Sequence, residues 1–196
     1  MEALIQKITE MVKPVYTFSA FYSHTIWPHA LRVSGYAKDL AAKIKANQFI
    51  AEAGGLLHDF GAAMYGQNDH HITGVKEAVP VLLKCGCPLK FIGPIITTIY
   101  SHRGSQKIAF RTQEARCVAA ADAQDHFTDL EELWEVQKRD LGIMEEWIHQ
   151  ALSKKLERDW EKISPEIKIL LDGTFEKAKR ELLRIAHMNG TPVGNK

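Results

Sequence analysis

The stretch Gly55-Leu56-Leu57-His58-Asp59-Phe60-Gly61 decides how this chain is read. Counted back to Phe49, the apolar positions Phe49, Ala53, Leu56, Leu57 and Phe60 recur three or four residues apart, and Gly61 offers a stop. That is one apolar face of a helix, with His58 and Asp59 at its end. An imidazole and a carboxylate side by side at a helix terminus can present one nitrogen and one oxygen to the same centre.

The same period recurs on both sides. Over residues 28–44, Ala30, Val33, Ala37, Leu40, Ala41 and Ile44 form one face, with His29 in the first turn. After the turn-rich segment 65–69, Val75, Val79, Leu82 and Leu83 mark a helix that ends near Gly86, with His70 and His71 at its start. Pro88 suits a helix first turn. Ile92, Ile95, Ile96 and Ile99 then carry a stripe that His102 extends, with Pro94 as a kink or restart. Residues 103–111 have no clear period, whereas Ala115, Val118, Ala119 and Asp122 do, which places Asp122 on a buried face. Charge-rich helices are expected over 130–162 and 165–187, with a frayed end at 189–196.

No repeat, low-complexity tract or alternating apolar pattern demands a sheet, so the expected fold is all-α. With 196 residues, 45% of them hydrophobic, the chain can bury a sizeable core. We expect a single helical domain over 1–196, with a core at about 22–127 and a helical extension at about 128–188. The net charge of +1 gives no field to attract a nucleic-acid polymer or an anionic membrane, so an anionic substrate has to be held by local groups. The segment 1–12 carries Glu2, Lys7 and Glu10 and lacks the core of a signal peptide, and no stretch reaches spanning length without charge. Three cysteines, Cys85, Cys87 and Cys117, fit a reducing compartment, with the cytoplasm as the expected location. Cys85-Gly86-Cys87 reads as a reduced helix-end turn, because a closed zinc site needs four ligands.

Each candidate also has a plainer explanation. A lone histidine at a helix end is more often a cap than a ligand, and a buried Asp122 can be neutralised by Arg116 or Arg32. What changes the balance is the ordered set His29, His58-Asp59, Asp122. It stands in the phrases His29-Ala-Leu-Arg-Val33, Gly55-Leu-Leu-His58-Asp59-Phe-Gly61 and Glu114-Ala-Arg-Cys-Val-Ala-Ala-Ala-Asp122-Ala. Across about residues 22–127 this set resembles the HD-domain superfamily of metal-dependent phosphohydrolases. The phrases His70-His71-Ile-Thr-Gly74 and Ile99-Tyr-Ser-His102 look like its binuclear branch.

The resemblance implies a compact helical bundle and one or two divalent metal ions per chain, of manganese, iron, nickel, cobalt, zinc or magnesium. It implies a first site of His29, His58, Asp59 and Asp122, with Asp59 as the bridging catalytic carboxylate. His71 and His102 would complete a second site, with His70 as the competing choice to His71. Ala62 stands where the cyclic-dinucleotide branch has lysine, and no Gly-Tyr-Pro follows His102, which disfavours cyclic-di-GMP.

Divalent ions neutralise phosphate and acidify water for in-line attack, so the implied activity is phosphoric ester hydrolysis. A small phosphorylated metabolite or nucleotide is the implied substrate. Arg103 is the preferred phosphate contact, among Arg103, Lys107 and Arg111, against a solvated basic turn. Asp125 or His126, one turn beyond Asp122, can approach the site as a leaving-group acid. Two other functional classes share the ligand set: a di-iron oxygenase and a non-hydrolytic nucleotide sensor. The tryptophans Trp134, Trp147 and Trp160 read as core or partner packing, and a homodimer is one arrangement they would serve.

Overall fold

The computed structural model describes residues 1–22, 24–103 and 108–190. Among the described residues every regular element is helical: α1 Glu2–Thr17, α2 Ile26–Lys43, α3 Gln48–Leu57, α4 Phe60–Tyr65, α5 His70–Lys84, α6 Leu89–Ser101, α7 Gln113–Thr128, α8 Leu130–Glu135, α9 Glu145–Glu161 and α10 Pro165–Met188. A π-helical turn, Val136–Asp140, continues α8. None of these helices is long and apolar enough to cross a membrane.

Local chemistry sets several boundaries. Asn47 caps α3 by accepting from the Ile50 amide, and Thr112 caps α7 by accepting from the Ala115 amide. Pro94 lies inside α6 without ending it. Two expectations are corrected. Gly61 does not stop a helix; the interruption falls at His58 and Asp59, and α4 begins directly at Phe60. The 130–162 stretch is not continuous either, because α8 passes into the π-helical turn and Gly142 turns the chain with φ of 64° before α9.

Two apolar clusters organise the bundle. One joins Tyr16 of α1, Ile26 and Ala30 of α2, Leu56 and Leu57 of α3, Phe60 of α4, Leu82 of α5 and Ile95 and Ile99 of α6. The other joins Val33, Ala37 and Leu40 of α2 and Val118 of α7 to Ile148, Leu152 and Leu156 of α9 and Ile167, Leu171 and Phe175 of α10. Helices α2 and α7 therefore carry the extension on the same hydrophobic surface that frames the middle of the chain. Trp134 and Phe175 are buried there and Trp160 stacks on Phe175, so two of the three tryptophans serve the core, whereas Trp147 is half exposed.

Helix α5 lies against α4 with no room for a side chain between them. A Cβ on Gly61 would lie 2.3 Å from the His70 carbonyl oxygen and 2.4 Å from the Gly74 amide nitrogen. Only a glycine lets these two backbones touch, and that contact brings the first turn of α5 beside Asp59. We expect Gly61→Ala to cost roughly 1–3 kcal/mol of folding stability, read as a lower urea midpoint at unchanged m-value. An unchanged midpoint would show that α5 tolerates displacement.

Candidate metal centre

The break after α3 leaves His58 and Asp59 at the centre of the bundle. His29 comes from the first turn of α2, His70 from the start of α5, His102 from just past α6, and Asp122 from the middle of α7. The two Asp59 oxygens face different partners. Oδ2 lies 3.5 Å from His58 Nε2 and 3.8 Å from His29 Nε2. Oδ1 lies 3.3 Å from His70 Nε2 and 3.5 Å from His102 Nε2. Asp122 Oδ1 joins the first group, 3.6 Å from His29 Nε2 and 3.9 Å from His58 Nε2.

The outward hydrogen bonds fix which ring nitrogen faces inward. His58 Nδ1 donates to the Gly55 carbonyl at 2.7 Å, His70 Nδ1 to the Gln67 carbonyl at 2.9 Å, and His102 Nδ1 to the Ile99 carbonyl at 2.6 Å. A carbonyl only accepts, so each Nδ1 holds the proton and each Nε2 presents a lone pair. His29 Nδ1 donates to the Asp125 carboxylate at 2.6 Å. His29 Nε2 and His58 Nε2 are 3.1 Å apart, as are His70 Nε2 and His102 Nε2. Paired lone pairs beside carboxylate oxygens repel unless a cation lies between them, and imidazole held from behind by carbonyl or carboxylate is the usual setting of a metal ligand. The donor set therefore fits one or two divalent ions, with Asp59 able to bridge. The described groups that could hold an ion are His29 with His58 and Asp59, Asp59 with His70 and His102, and His29 with Asp122 and His126.

Electrostatics point the same way. Burial holds His58 down to about 4 despite the nearby Asp59, so its nitrogen is free of a proton at neutral pH. Burial also works against protonating His29, yet its hydrogen bond to Asp125 and the charges of Asp125, Asp122 and Asp59 raise its affinity for a proton, a sign that this spot favours positive charge. Burial works against ionising Asp125 too, and the hydrogen bonds from His29 and Arg32 overcome it, bringing the carboxyl down to about 2.

Of the sequence candidates, His29, His58, Asp59, His102 and Asp122 converge in this cluster. His71 does not, and this is a correction. Its ring packs against Tyr100 at 5.5 Å, and its buried Nδ1 has no hydrogen-bond partner among the described residues. His70 takes the inward position because successive helical residues point about 100° apart. The sequence did carry a signal for this, since Gly74 lies one turn after His70 on the same face, the face that meets Gly61.

A chamber of about 130 Å³ opens beside Asp59 and Asp122, and Arg103 lines it with His70 and His102 and approaches Asp69 at 3.9 Å. Arg111 is exposed and Lys107 lies outside the described residues. Asp122 pairs with neither Arg116 nor Arg32. Its Oδ2 accepts from Lys162 Nζ at 2.7 Å, while Arg32 Nε donates to Asp125 at 2.7 Å and Arg116 pairs with Glu166. Asp125 is thereby committed to orienting His29. His126 donates from Nδ1 to Asp159 at 2.8 Å and places Nε2 3.5 Å from Asp122 Oδ1.

Lys155, Arg158, Asp159 and Lys162 also line the chamber. They were not singled out from the sequence, where a charged helix reads as a solvated one. Their signal was the spacing of three, four and seven on one face, beside the apolar Leu152 and Leu156.

A family model described as HD domain matches residues 26–125. The chain belongs to the HD-domain family. All six clustered residues of the candidate metal centre fall within the matched span. Among curated relatives, ribonuclease Y of Symbiobacterium thermophilum is 34% identical over 106 residues, 54% of this chain and 19% of that protein. Ribonuclease Y of Listeria welshimeri is 29% identical over 143 residues, 66% of this chain and 26% of that protein. The chain thus spans about a fifth to a quarter of the length of these relatives. A solved structure, a predicted HD superfamily hydrolase from an uncultured Thermotogales bacterium, superposes with a TM-score of 0.55 at 20% identity, covering 86% of this chain and 91% of that one. That likeness extends the shared fold beyond the matched span and into the C-terminal helices.

Elemental analysis of protein purified without chelators should find about two metals per chain, falling toward one in His70→Ala and unchanged in His71→Ala. Asp125→Asn should weaken metal binding about 10–100-fold by loosening His29. Equal loss in His70→Ala and His71→Ala would remove the assignment of His70.

Proposed function

We propose that this HD-domain chain is a metal-dependent phosphoric ester hydrolase acting on a small phosphorylated molecule, a nucleotide or another metabolite of that size. The observation that carries the reading is the double-faced Asp59, with an imidazole pair on each oxygen and a cavity alongside. Divalent ions held there supply charge neutralisation for the phosphoryl group and acidify water for attack on phosphorus.

The chain's own residues do the rest. His29, His58 and Asp122 hold one side of the centre, and His70 and His102 the other. Carbonyls of α3, α6 and the turn before α5 keep the rings from rotating. Lys162 balances Asp122, and the pairing keeps both charged although they are nearly enclosed. Arg103, Lys155 and Arg158 bring positive charge to the chamber rim, where phosphate oxygens not engaged by metal would lie.

The substrate size follows from the space. The metal chamber, about 130 Å³, shares Asp59, Gln67, His126, Lys155 and Arg158 with a larger cavity of about 440 Å³. That volume suits a compact organic group rather than a polymer. A second reading, cleavage of RNA phosphodiesters, draws on the name of the ribonuclease Y relatives. The near-neutral charge of the chain weighs against it.

The manganese- or iron-loaded chain should hydrolyse p-nitrophenyl phosphate, lose activity to chelator and regain it on metal return. Asp59→Ala should abolish turnover and bound metal while the far-ultraviolet circular dichroism stays helical. Cleavage of a single-stranded RNA oligonucleotide without phosphomonoester turnover would replace the small-molecule reading with the second. Metal-bound protein inert toward both would overturn hydrolysis.

A further inference from the structure

The larger cavity is bounded by α2, α8, the π-helical turn and α9, and its wall is divided in charge. The cations Lys155 and Arg158 lie where it meets the metal chamber. The charged residues that line the larger cavity alone are Arg32, Asp125, Asp129 and Glu132. Arg32 is bound by all three carboxylates: Nε donates to Asp125 at 2.7 Å, and Nη2 reaches Glu132 and approaches Asp129 at 3.4 Å. One guanidinium against three carboxylates leaves this end with surplus negative charge. Asp125 is enclosed, but Asp129 and Glu132 keep 39% and 25% of their side chains exposed, so they face whatever enters.

The π-helical turn adds an independent observation. It carries Gln137 into the same cavity wall, and that residue is 7% exposed. Among the described residues its side-chain carboxamide has no hydrogen-bond partner, although its backbone carbonyl accepts from the Ile143 amide at 2.9 Å. A carboxamide on the cavity wall that no protein group engages is open to donate to or accept from a ligand. A π-turn is also a common way to aim one side chain at a site. Leu133, Val136 and Leu141 give the remaining wall an apolar surface.

We propose that this cavity holds the alcohol portion of the substrate and selects a phosphate monoester whose alcohol is neutral or cationic and can hydrogen-bond to Gln137, while rejecting one with a second anionic group. The inference deepens the phosphoric ester hydrolase reading by taking the ester as a monoester, and rests on that reading for the orientation of the ligand. The phosphate lies at the metals beside Lys155 and Arg158. The alcohol extends toward Asp129 and Glu132, where an amine or hydroxyl is favoured and a further phosphate or carboxylate is repelled.

The test is a matched set of aryl phosphates carrying a para aminomethyl, hydroxymethyl or carboxymethyl group, together with the corresponding non-hydrolysable phosphonates. Values of kcat/KM on the metal-loaded chain should place the aminomethyl ester about tenfold or more above the carboxymethyl ester. Calorimetric affinities for the phosphonates should follow the same order, and the gap should shrink in high salt. Asp129→Asn keeps the helix-capping oxygen, removes one charge and should narrow the ratio by about threefold or more. Gln137→Leu should weaken the hydroxymethyl phosphonate without changing metal content. Equal affinities for all three phosphonates, or preference for the carboxymethyl one, would overturn the inference even if every ester is hydrolysed. If none is hydrolysed but the phosphonates still rank by charge, the cavity assignment stands and the hydrolase reading falls.

Discussion

Four imidazole lone pairs and three carboxylate oxygens are forced together around Asp59, and the rest of the site exists to keep them there. Without a cation they repel one another. The fold withstands this because each histidine is anchored from behind. Two anchors are main-chain carbonyls in the last turns of α3 and α6, where acceptors are left unused, and a third is the Gln67 carbonyl in the turn before α5. The fourth is Asp125, itself held by Arg32. Helix ends thus do double duty, as the unfinished ends of secondary structure and as rigid mounts for imidazoles.

The charge balance is spread over a wide part of the chain. Asp122 on α7 is met by Lys162 beyond α9, and Asp159 by His126, Lys155 and Lys162. Buried ion pairs of this kind add little net stability, but removing one partner is costly, so they lock register. The consequence is that α9 cannot be regarded as an appendage. Its apolar face, Leu152 and Leu156, packs into the cluster that contains α2 and α7, and its charged face closes the metal chamber.

The all-α architecture was legible from apolar spacing alone, and His29, His58, Asp59 and Asp122 from their order in three phrases. Helix breaks were less legible. Gly61 looked like a stop, yet its role is contact: lacking a Cβ, it lets α5 lie against α4. The π-helical turn that carries Gln137 had no signal, because a single widened turn leaves the local apolar period almost unchanged.

The sequence by itself determined which residue types were available and that they sit on helices, since helical periodicity is a local property of spacing. Tertiary structure decided that His70 rather than His71 faces Asp59, and Gly74, one turn after His70, takes on meaning only once Gly61 is known to pack there. Adjacent residues on a helix point about 100° apart, and only the packing of Gly61 against the start of α5 sets which of the two turns inward. It likewise decided that Lys162, some forty residues from Asp122, would neutralise it. A salt bridge between distant helices depends on how their apolar faces pack, and no spacing along the chain records that.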